Sequence, residues 1–315
     1  MATLSERGQR SGTYVLMTAA HNEESFIEGT IQSVLAQTLL PVRWVIVSDN
    51  SSDRTDEIVE SYARKHDFIR FLRITRPPGR NFGAKVIALQ KAGPLLEGLS
   101  YEFIGNLDGD LTLEPFYFEE LVGHFRRHPE LGLVSGFVYE DSGNGFRSRR
   151  INDVRNVPHA AQLVRRECYE AIGGYKVLQY GGEDWYAQTT ARMKGWQAES
   201  LPELKIFHHR QTGTGSTSLI RNAFRLGRLD YSFGSDPLFE IVKCLRRIPE
   251  KPYFGNALAR LAGFTWPYLR RESRGVPDEF IAFMRRDQKG RISSILNRKR
   301  STPPVVAGKA GSART

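Results

Sequence analysis

Two aspartates two residues apart offer the clearest chemistry in the sequence. They lie in Asn106-Leu107-Asp108-Gly109-Asp110, directly after an apolar run that predicts a buried strand. Gly109 allows the backbone to bend sharply and to approach a ligand. Asp108 and Asp110 can therefore converge on one hard cation, Mg²⁺ or Mn²⁺, that fills its remaining coordination positions with phosphate oxygens. The pattern predicts a metal site for a nucleotide diphosphate; the alternative is a solvated polar turn, where Asp and Gly are common.

The elements that position this turn follow from apolar runs that alternate with helical patterns. Strands are predicted over Thr13–Thr18, Trp44–Val47, Phe68–Ile74, Phe103–Leu107 and Leu131–Val138. Helices are predicted between them, the first with a capping box formed by Ser25 and Glu28. This order predicts an α/β fold with a mostly parallel central sheet flanked by helices, a Rossmann-like nucleotide-binding arrangement. Since parallel crossovers are right-handed, the carboxyl ends of the strands meet at one edge, where ligands bind.

Polar segments follow three of these strands: His21-Asn22-Glu23, Asp49 to Asp53, and Asp108 to Asp110. With the residues just before them, they resemble the successive motifs of family 2 glycosyltransferases, which are inverting enzymes of the GT-A fold. The resemblance covers residues 13–210 and implies a nucleotide-sugar donor, with a divalent cation at the DxD motif. It implies Asp110 and Asp108 as metal ligands. The implied donor contacts in these motifs are Ala20, Asn22, Glu23, Asp49 and Asp108.

One motif departs from the common pattern of the family. The chain has Ser48-Asp49 where two adjacent aspartates are common, and Asp49 matches the residue expected to contact the base or ribose. A further segment, Arg80 to Lys85, opens the helix before the Asp-Gly-Asp strand. Its basic residues, glycine and free N–H groups predict an anion site, with Asn81 and Lys85 as donor contacts. The alternative is an ordinary helix start with solvated charges.

The segment Gly181-Gly182-Glu183-Asp184-Trp185 predicts the start of another helix. Two carboxylates after a flexible glycine pair suit a base that approaches a substrate, and the helix dipole favours their ionised form. The alternative is simple N-terminal capping by acidic residues. In the resembled family the corresponding pair supplies the catalytic base, which implies Asp184 as the base with Glu183 beside it.

Adjacent histidines, His208 and His209, follow a short predicted strand over Ala198–Phe207. Neighbouring side chains of an extended segment point to opposite faces, so only one of the two can face the site. The resemblance implies a histidine here that contacts the metal or the diphosphate. The sequence does not decide between them, and His208 is taken as the predicted metal ligand.

Composition limits the remaining possibilities. The chain has 315 residues, a formal net charge of +10 and two cysteines, which imply no disulfide framework and a reducing cytosol as the simplest compartment. No apolar run is long enough to predict a membrane span, and the N-terminus lacks the apolar core of a secretory signal. A basic balance is typical of proteins that bind nucleic acid, an anionic membrane or a phosphorylated substrate. No nucleic-acid motif is recognised, so no nucleic-acid partner is predicted.

The C-terminal third changes in character. Helices over Leu219–Leu229, Pro237–Ile248 and Leu258–Arg274 combine apolar, aromatic and basic residues, as helices on membrane surfaces do. The alternative is that their apolar faces pack on the catalytic domain. The predicted organisation is a disordered N-terminus (1–12), a catalytic domain (13–215, with donor half 13–110 and acceptor half 111–215), a helical extension (216–290) and a disordered basic tail (291–315).

The sequence therefore predicts an inverting glycosyltransferase that transfers a sugar from a UDP, GDP or dTDP donor to a glycan or lipid-linked acceptor in envelope polysaccharide synthesis. It would be cytoplasmic, or peripheral on the inner face of the cell membrane. One rival is a sugar-1-phosphate nucleotidyltransferase, which would need a glycine-rich, basic loop after the first strand. The chain has Ala19-Ala20-His21-Asn22-Glu23-Glu24 there. Another rival is a non-catalytic nucleotide-sugar-binding scaffold. The donor sugar, the acceptor and the oligomeric state do not follow from the sequence.

Overall fold

The apolar runs of the sequence form one nine-stranded sheet in the computed structural model, which describes residues 12–77, 82–210, 218–249 and 253–300, with side chains up to residue 290. The strands are β1 (Tyr14–Ala20), β2 (Arg43–Asp49), β3 (Ile69–Ile74), β4 (Phe103–Leu107), β5 (Leu111–Leu113), β6 (Leu131–Asp141), β7 (Phe146–Ser148), β8 (Ala161–Arg165) and β9 (Gln197–His208). The helices packed with them are α1 (Ile27–Leu35), α2 (Thr55–Ala63), α3 (Ala84–Ala92), α4 (Tyr117–Arg127), α5 (Arg166–Ala171) and α6 (Glu183–Met193).

The strand order is β3-β2-β1-β4-β8-β6-β9-β5, with β7 paired to β6. Pairings are parallel from β3 through β4, in agreement with the predicted α/β fold and its helix-flanked sheet. Beyond β4 the sheet is mixed, because β8 runs antiparallel to both β4 and β6. Strand β8 is not predicted from the sequence, since a five-residue apolar run directly before a helix cannot be assigned by periodicity alone.

Both faces of the sheet are buried. Tyr14 and Leu16 of β1 point into the core beneath α1 and α4, whereas Val15 and Met17 point into the core beneath α3, α5 and α6. This alternation follows from the two-residue period of a strand. It explains why β1 is an unbroken apolar run and not an alternating one.

Helix α1 begins at Ile27, without the predicted capping box. The N-cap residue is Phe26, and no side chain caps the helix. The Glu23 carbonyl accepts the first N–H groups, from Phe26 and Ile27. The Glu24 carboxylate accepts a hydrogen bond from the Arg54 N–H at 3.1 Å, so this acidic segment joins the β1 and β2 loops and does not cap the helix.

The chain divides into two units, Met1–Ser218 and Leu219–Thr315. The second unit contains α7 (Leu219–Ser232), α8 (Pro237–Arg246), α9 (Phe254–Arg270) and α10 (Asp278–Arg300). Helix α10 includes residues 291–300, where the sequence predicts a disordered tail; this stretch has several good helix formers and no proline before Pro303. Residues 301–315 and all but one residue of the predicted disordered N-terminus lie outside the described residues. Among the described helices, none is both long and apolar enough to cross a bilayer.

We predict that Gly136→Ala destabilises the first unit. Gly136 lies where the β6–β9 register shifts, and an added Cβ would overlap the carbonyl oxygen of Leu204 and lie 3.0 Å from the Tyr117 ring. Such overpacking typically costs about 1–3 kcal/mol of unfolding free energy, measurable by urea denaturation. Gly29→Ala is the matched control, because a Cβ there meets only Thr112, at 3.8 Å, and alanine favours a helix by about 0.5–1 kcal/mol. Equal stabilities of the two variants would contradict the proposed constraint.

Candidate donor and metal site

The loops at the carboxyl ends of β1, β2 and β4 line a cleft of about 790 Å³. His208, at the end of β9, also lines it. The predicted site residues that line it are Ala20, Glu23, Asp49, Lys85, Asp108, Asp110 and His208. Asn22, Glu183 and Asp184 do not line it, and Asn81 lies outside the described residues. The edge that the sequence predicts for ligand binding is therefore an open cleft rich in charge.

Asp108, Asp110 and His208 form a cluster with the donor set of a metal site. One ligand atom from each lies within 4.8 Å of the others, and His208 Nε2 is 3.3 Å from Asp110 Oδ1. Burial raises the pKa of Asp110, but the hydrogen bond and charge of His208, with two further cations, outweigh it and leave the pKa below its ordinary value. Burial lowers the pKa of His208, but the same hydrogen bond and both carboxylates raise it above its ordinary value. Two oxygens and an imidazole suit Mn²⁺ or Mg²⁺.

Strand pairing brings these distant residues together. Strand β5 starts directly after Asp110 and pairs with β9, so that Leu111 lies opposite His208. The buried Thr30 hydroxyl fixes the turn: its oxygen lies 2.9 Å from the Gly109 carbonyl oxygen and accepts the Leu111 N–H at 3.1 Å. The turn geometry therefore depends on a residue of α1, which the local sequence pattern does not reveal.

The two adjacent histidines face opposite ways, as an extended segment requires. His209 Nε2 lies 2.9 Å from the Thr112 hydroxyl, and its ring packs against Phe26 and Phe146. Its backbone N–H donates to the Asp110 carbonyl at 3.0 Å. His209 thus supports the turn through its backbone, whereas His208 presents its ring to the cleft.

Lys85 lies in the first turn of α3 and forms an ion pair with Asp108. Its ammonium group is also 3.3 Å from the carbonyl oxygen of His159. The His159 ring is buried against Tyr175, and burial, together with the Lys85 charge, holds its pKa well below the ordinary range, so the ring is neutral. No motif in the sequence pointed to His159, whose backbone carbonyl nevertheless accepts a hydrogen bond from the Lys85 ammonium group.

Two arginines that the sequence analysis did not assign to the site complete its charge balance. Arg76, just after β3, donates to both Asp49 carboxylate oxygens, at 2.8 Å from Nε. Arg210 forms a two-pronged pair with Glu23, at 3.1 and 2.6 Å. Burial and the Asp110 charge raise the pKa of Glu23 to about 7, against the opposing effect of Arg210. A signal was present for each arginine: a basic residue directly after a strand at the ligand-binding edge.

Asn22, a predicted donor contact, connects two loops beside the cleft. Its side-chain oxygen accepts the Ser52 N–H at 2.8 Å, and its own N–H donates to the Ser51 hydroxyl at 3.2 Å. Its backbone is left-handed, with φ of 55°, a conformation that asparagine tolerates better than most residues. Asn22 therefore ties the β1 and β2 loops together and does not line the cleft.

Glu183 and Asp184 begin α6, after Gly182 in a left-handed conformation. Both are half-buried, and burial raises the pKa of each above its ordinary value. The Lys85 charge opposes this shift at both carboxylates, and the Arg149 charge does so at Asp184. A carboxylate with a raised pKa and a nearby cation has the properties of a general base.

Comparisons with known proteins agree with this geometry. Residues 16–180 match the family model described as glycosyl transferase family 2. A stretch of 138 residues, 42% of the chain, is 33% identical to a poly-beta-1,6-N-acetyl-D-glucosamine synthase of Staphylococcus epidermidis. The match spans only 30% of that relative.

Solved structures share the fold at low identity. A mannosyltransferase from Pyrobaculum calidifontis, in complex with GDP-Man and Mn²⁺, has a TM-score of 0.52 and 16% identity, over 93% of this chain and 82% of that one. Staphylococcus aureus TarS 1-349, in complex with UDP-GlcNAc, has a TM-score of 0.53 and 15% identity, over 86% and 78%. The motifs, the helix-flanked sheet and the matched family model together lead to one conclusion: the chain belongs to glycosyl transferase family 2.

Proposed function

We propose that the protein is an inverting glycosyltransferase that uses a nucleotide-diphosphate sugar as donor. The observation that carries the proposal is the cluster of Asp108, Asp110 and His208 in a cleft that also presents Lys85. A nucleotide diphosphate carries negative charge that such a site neutralises with a divalent cation and a lysine. The bound cation would act as a Lewis acid toward the departing diphosphate, with Asp108, Asp110 and His208 as its ligands.

Asp184 is the proposed catalytic base, with Glu183 beside it. The acceptor hydroxyl loses its proton to the Asp184 carboxylate as its oxygen attacks the anomeric carbon, and the nucleotide diphosphate leaves from the opposite face. Inversion follows from this single displacement. Burial supports the assignment, because it raises the pKa of Asp184 and so strengthens the carboxylate as a base.

The alternatives fit less well. A nucleotidyltransferase would hold a triphosphate with a basic, glycine-rich loop after β1, but this loop places the Glu23 carboxylate in the cleft. A non-catalytic scaffold would not need half-buried carboxylates at the start of α6. As donor we propose UDP-GlcNAc, because the matched synthase is named for an N-acetylglucosamine polymer and TarS, which shares the fold, is in complex with UDP-GlcNAc. The acceptor is proposed to be a growing glycan or a lipid-linked glycan of envelope polysaccharide synthesis, reached from the inner face of an anionic membrane.

The donor class can be measured by isothermal titration with UDP, GDP and dTDP, each with and without Mn²⁺. We expect one nucleotide to bind in a metal-dependent manner, because the metal cluster and Lys85 both face the cleft. Absence of binding to all three by folded protein would contradict the donor site and the proposed function with it.

Substitution of each of the two adjacent histidines tests which one is a metal ligand. His208→Ala should weaken Mn²⁺-dependent nucleotide binding by at least about 10-fold, because loss of a residue that merely supports a metal ligand already costs about 10–100-fold and His208 is a proposed ligand. His209→Ala is the matched control and should retain affinity, since its ring bonds Thr112 and its backbone contact to Asp110 survives. A larger loss in the His209 variant would reverse the assignment.

The base can be tested with Asp184→Asn, which should lower kcat by about 10²–10⁴-fold while nucleotide affinity stays unchanged. Glu167→Gln removes an acidic residue from the first turn of α5 and serves as the control for simple helix capping. The base must be ionised to accept a proton, and burial raises the pKa of Asp184. As the pH is lowered, the wild-type rate should therefore begin to fall at a pH higher than the ordinary aspartate pKa of about 3.9. Loss of nucleotide binding in the Asn variant would make Asp184 a donor contact instead.

A further inference from the structure

Helix α8 turns its apolar side outward. Leu238, Ile241 and Leu245 are three and four residues apart, so they share one face, and all three are exposed. The opposite face is buried and carries Glu240 and Cys244. A helix on the surface of a water-soluble protein has the reverse arrangement.

Helix α9 also exposes an apolar side. Its spacing places Phe254, Leu258, Trp266 and Leu269 on one side, and all four are exposed, Leu269 by 79%. The other side is also buried and contains, beside small and apolar residues such as Ala257 and Phe264, the charged Arg260, which is only 5% exposed. Between residues 219 and 269 lie 11 of the 19 large hydrophobic residues that are exposed in the described part of the chain. The second unit therefore concentrates outward apolar surface.

Charged groups occupy the interior of this unit. Arg260 pairs with Asp230 and donates to Glu240 at 3.0 Å, and Lys243 donates to Asp230 at 2.8 Å. Glu240 is fully buried. These charged groups pair with one another on the inner sides of the helices, and the apolar faces of α8 and α9 described above lie outside.

The net charge of the chain is confined to the same unit. Residues 219–315 contain 20 Lys and Arg against 8 Asp and Glu, a net charge of +12, whereas residues 1–218 have a net charge of −2. Exposed basic residues adjoin the apolar faces: Arg246 ends α8, and the Arg270 guanidinium lies 5.5 Å from the centre of the exposed Trp266 ring. Apolar surface bordered by aromatic rings and arginines has the chemistry of an anionic bilayer interface.

We infer that the apolar faces of α8 and α9 dock on an anionic lipid bilayer and lie in its interface. Helix α8 has 10 residues and α9 has 17, about 15 and 26 Å at 1.5 Å per residue, which is short of the hydrocarbon core of about 30 Å. Two copies of the chain would bring units of +12 together, so charge favours anionic lipid over self-association. The inference does not depend on the proposed chemistry.

Flotation of the full chain with vesicles tests the inference. Vesicles with about 30% phosphatidylglycerol should bind at least about tenfold more tightly than pure phosphatidylcholine, and about 0.5 M salt should remove most of this difference. The double variant Ile241→Glu with Leu258→Glu should lose vesicle binding. Its matched control is Leu40→Glu with Ile151→Glu, since exposure agrees within each pair: 45% for Ile241 and Leu40, 63% and 62% for Leu258 and Ile151.

Thermal unfolding and nucleotide titration of each variant establish that the fold is intact, because all four positions are exposed. Equal binding to both vesicle types, no binding by the wild-type chain, or equal loss in the two double variants would overturn the inference. Light scattering provides a further outcome: a dimer that dissociates only in the Ile241 and Leu258 variant would assign the faces to a second copy.

Discussion

Charge balance in the cleft is the constraint on which the site depends. Four carboxylates line one cavity, and each has a basic partner from elsewhere in the chain: Arg76 for Asp49, Lys85 for Asp108, His208 for Asp110 and Arg210 for Glu23. Without these partners the carboxylates would repel one another, and burial would favour their neutral forms. Glu23 illustrates this: even with Arg210 beside it, burial and the Asp110 charge raise its pKa to about 7. A divalent cation with a diphosphate adds both charges at once, which such a balanced site can accept.

The strands of the first half and the carboxylates that line the cleft are predictable from the sequence, because both have local signals. Strand β4 and the turn after it follow from a few adjacent residues. The cations were harder to predict, since Arg76 and Arg210 lie 27 and 187 residues from their partners along the chain. Which histidine faces the site is decided by the β5–β9 register, and β8 was missed because its apolar run is short. Long-range pairing, and not local preference, determines these features.

The proposed base illustrates the same limit. Acidic residues at the start of a helix are common, and the spacing after Gly181 and Gly182 gives no information on ionisation. The raised pKa of Asp184 arises from burial and is opposed by charges on Lys85 and Arg149, which belong to other elements. Local sequence therefore specifies the position of a carboxylate, and the fold specifies its chemistry.

The helical unit buries charged groups and exposes apolar ones to an unusual extent. Burying Asp230, Glu240 and Arg260 carries a desolvation penalty that their close pairing has to offset. Helices α7 and α9 also approach closely at Gly227 and Gly263, where a Cβ would overlap the facing backbone. Ion pairs and close backbone contact thus add to a small apolar core that includes Phe233, Phe264 and Phe280, while the apolar side chains on the outer faces of α8 and α9 stay exposed. That arrangement is costly in water and favourable at a lipid interface, which gives the net charge of this unit a physical role.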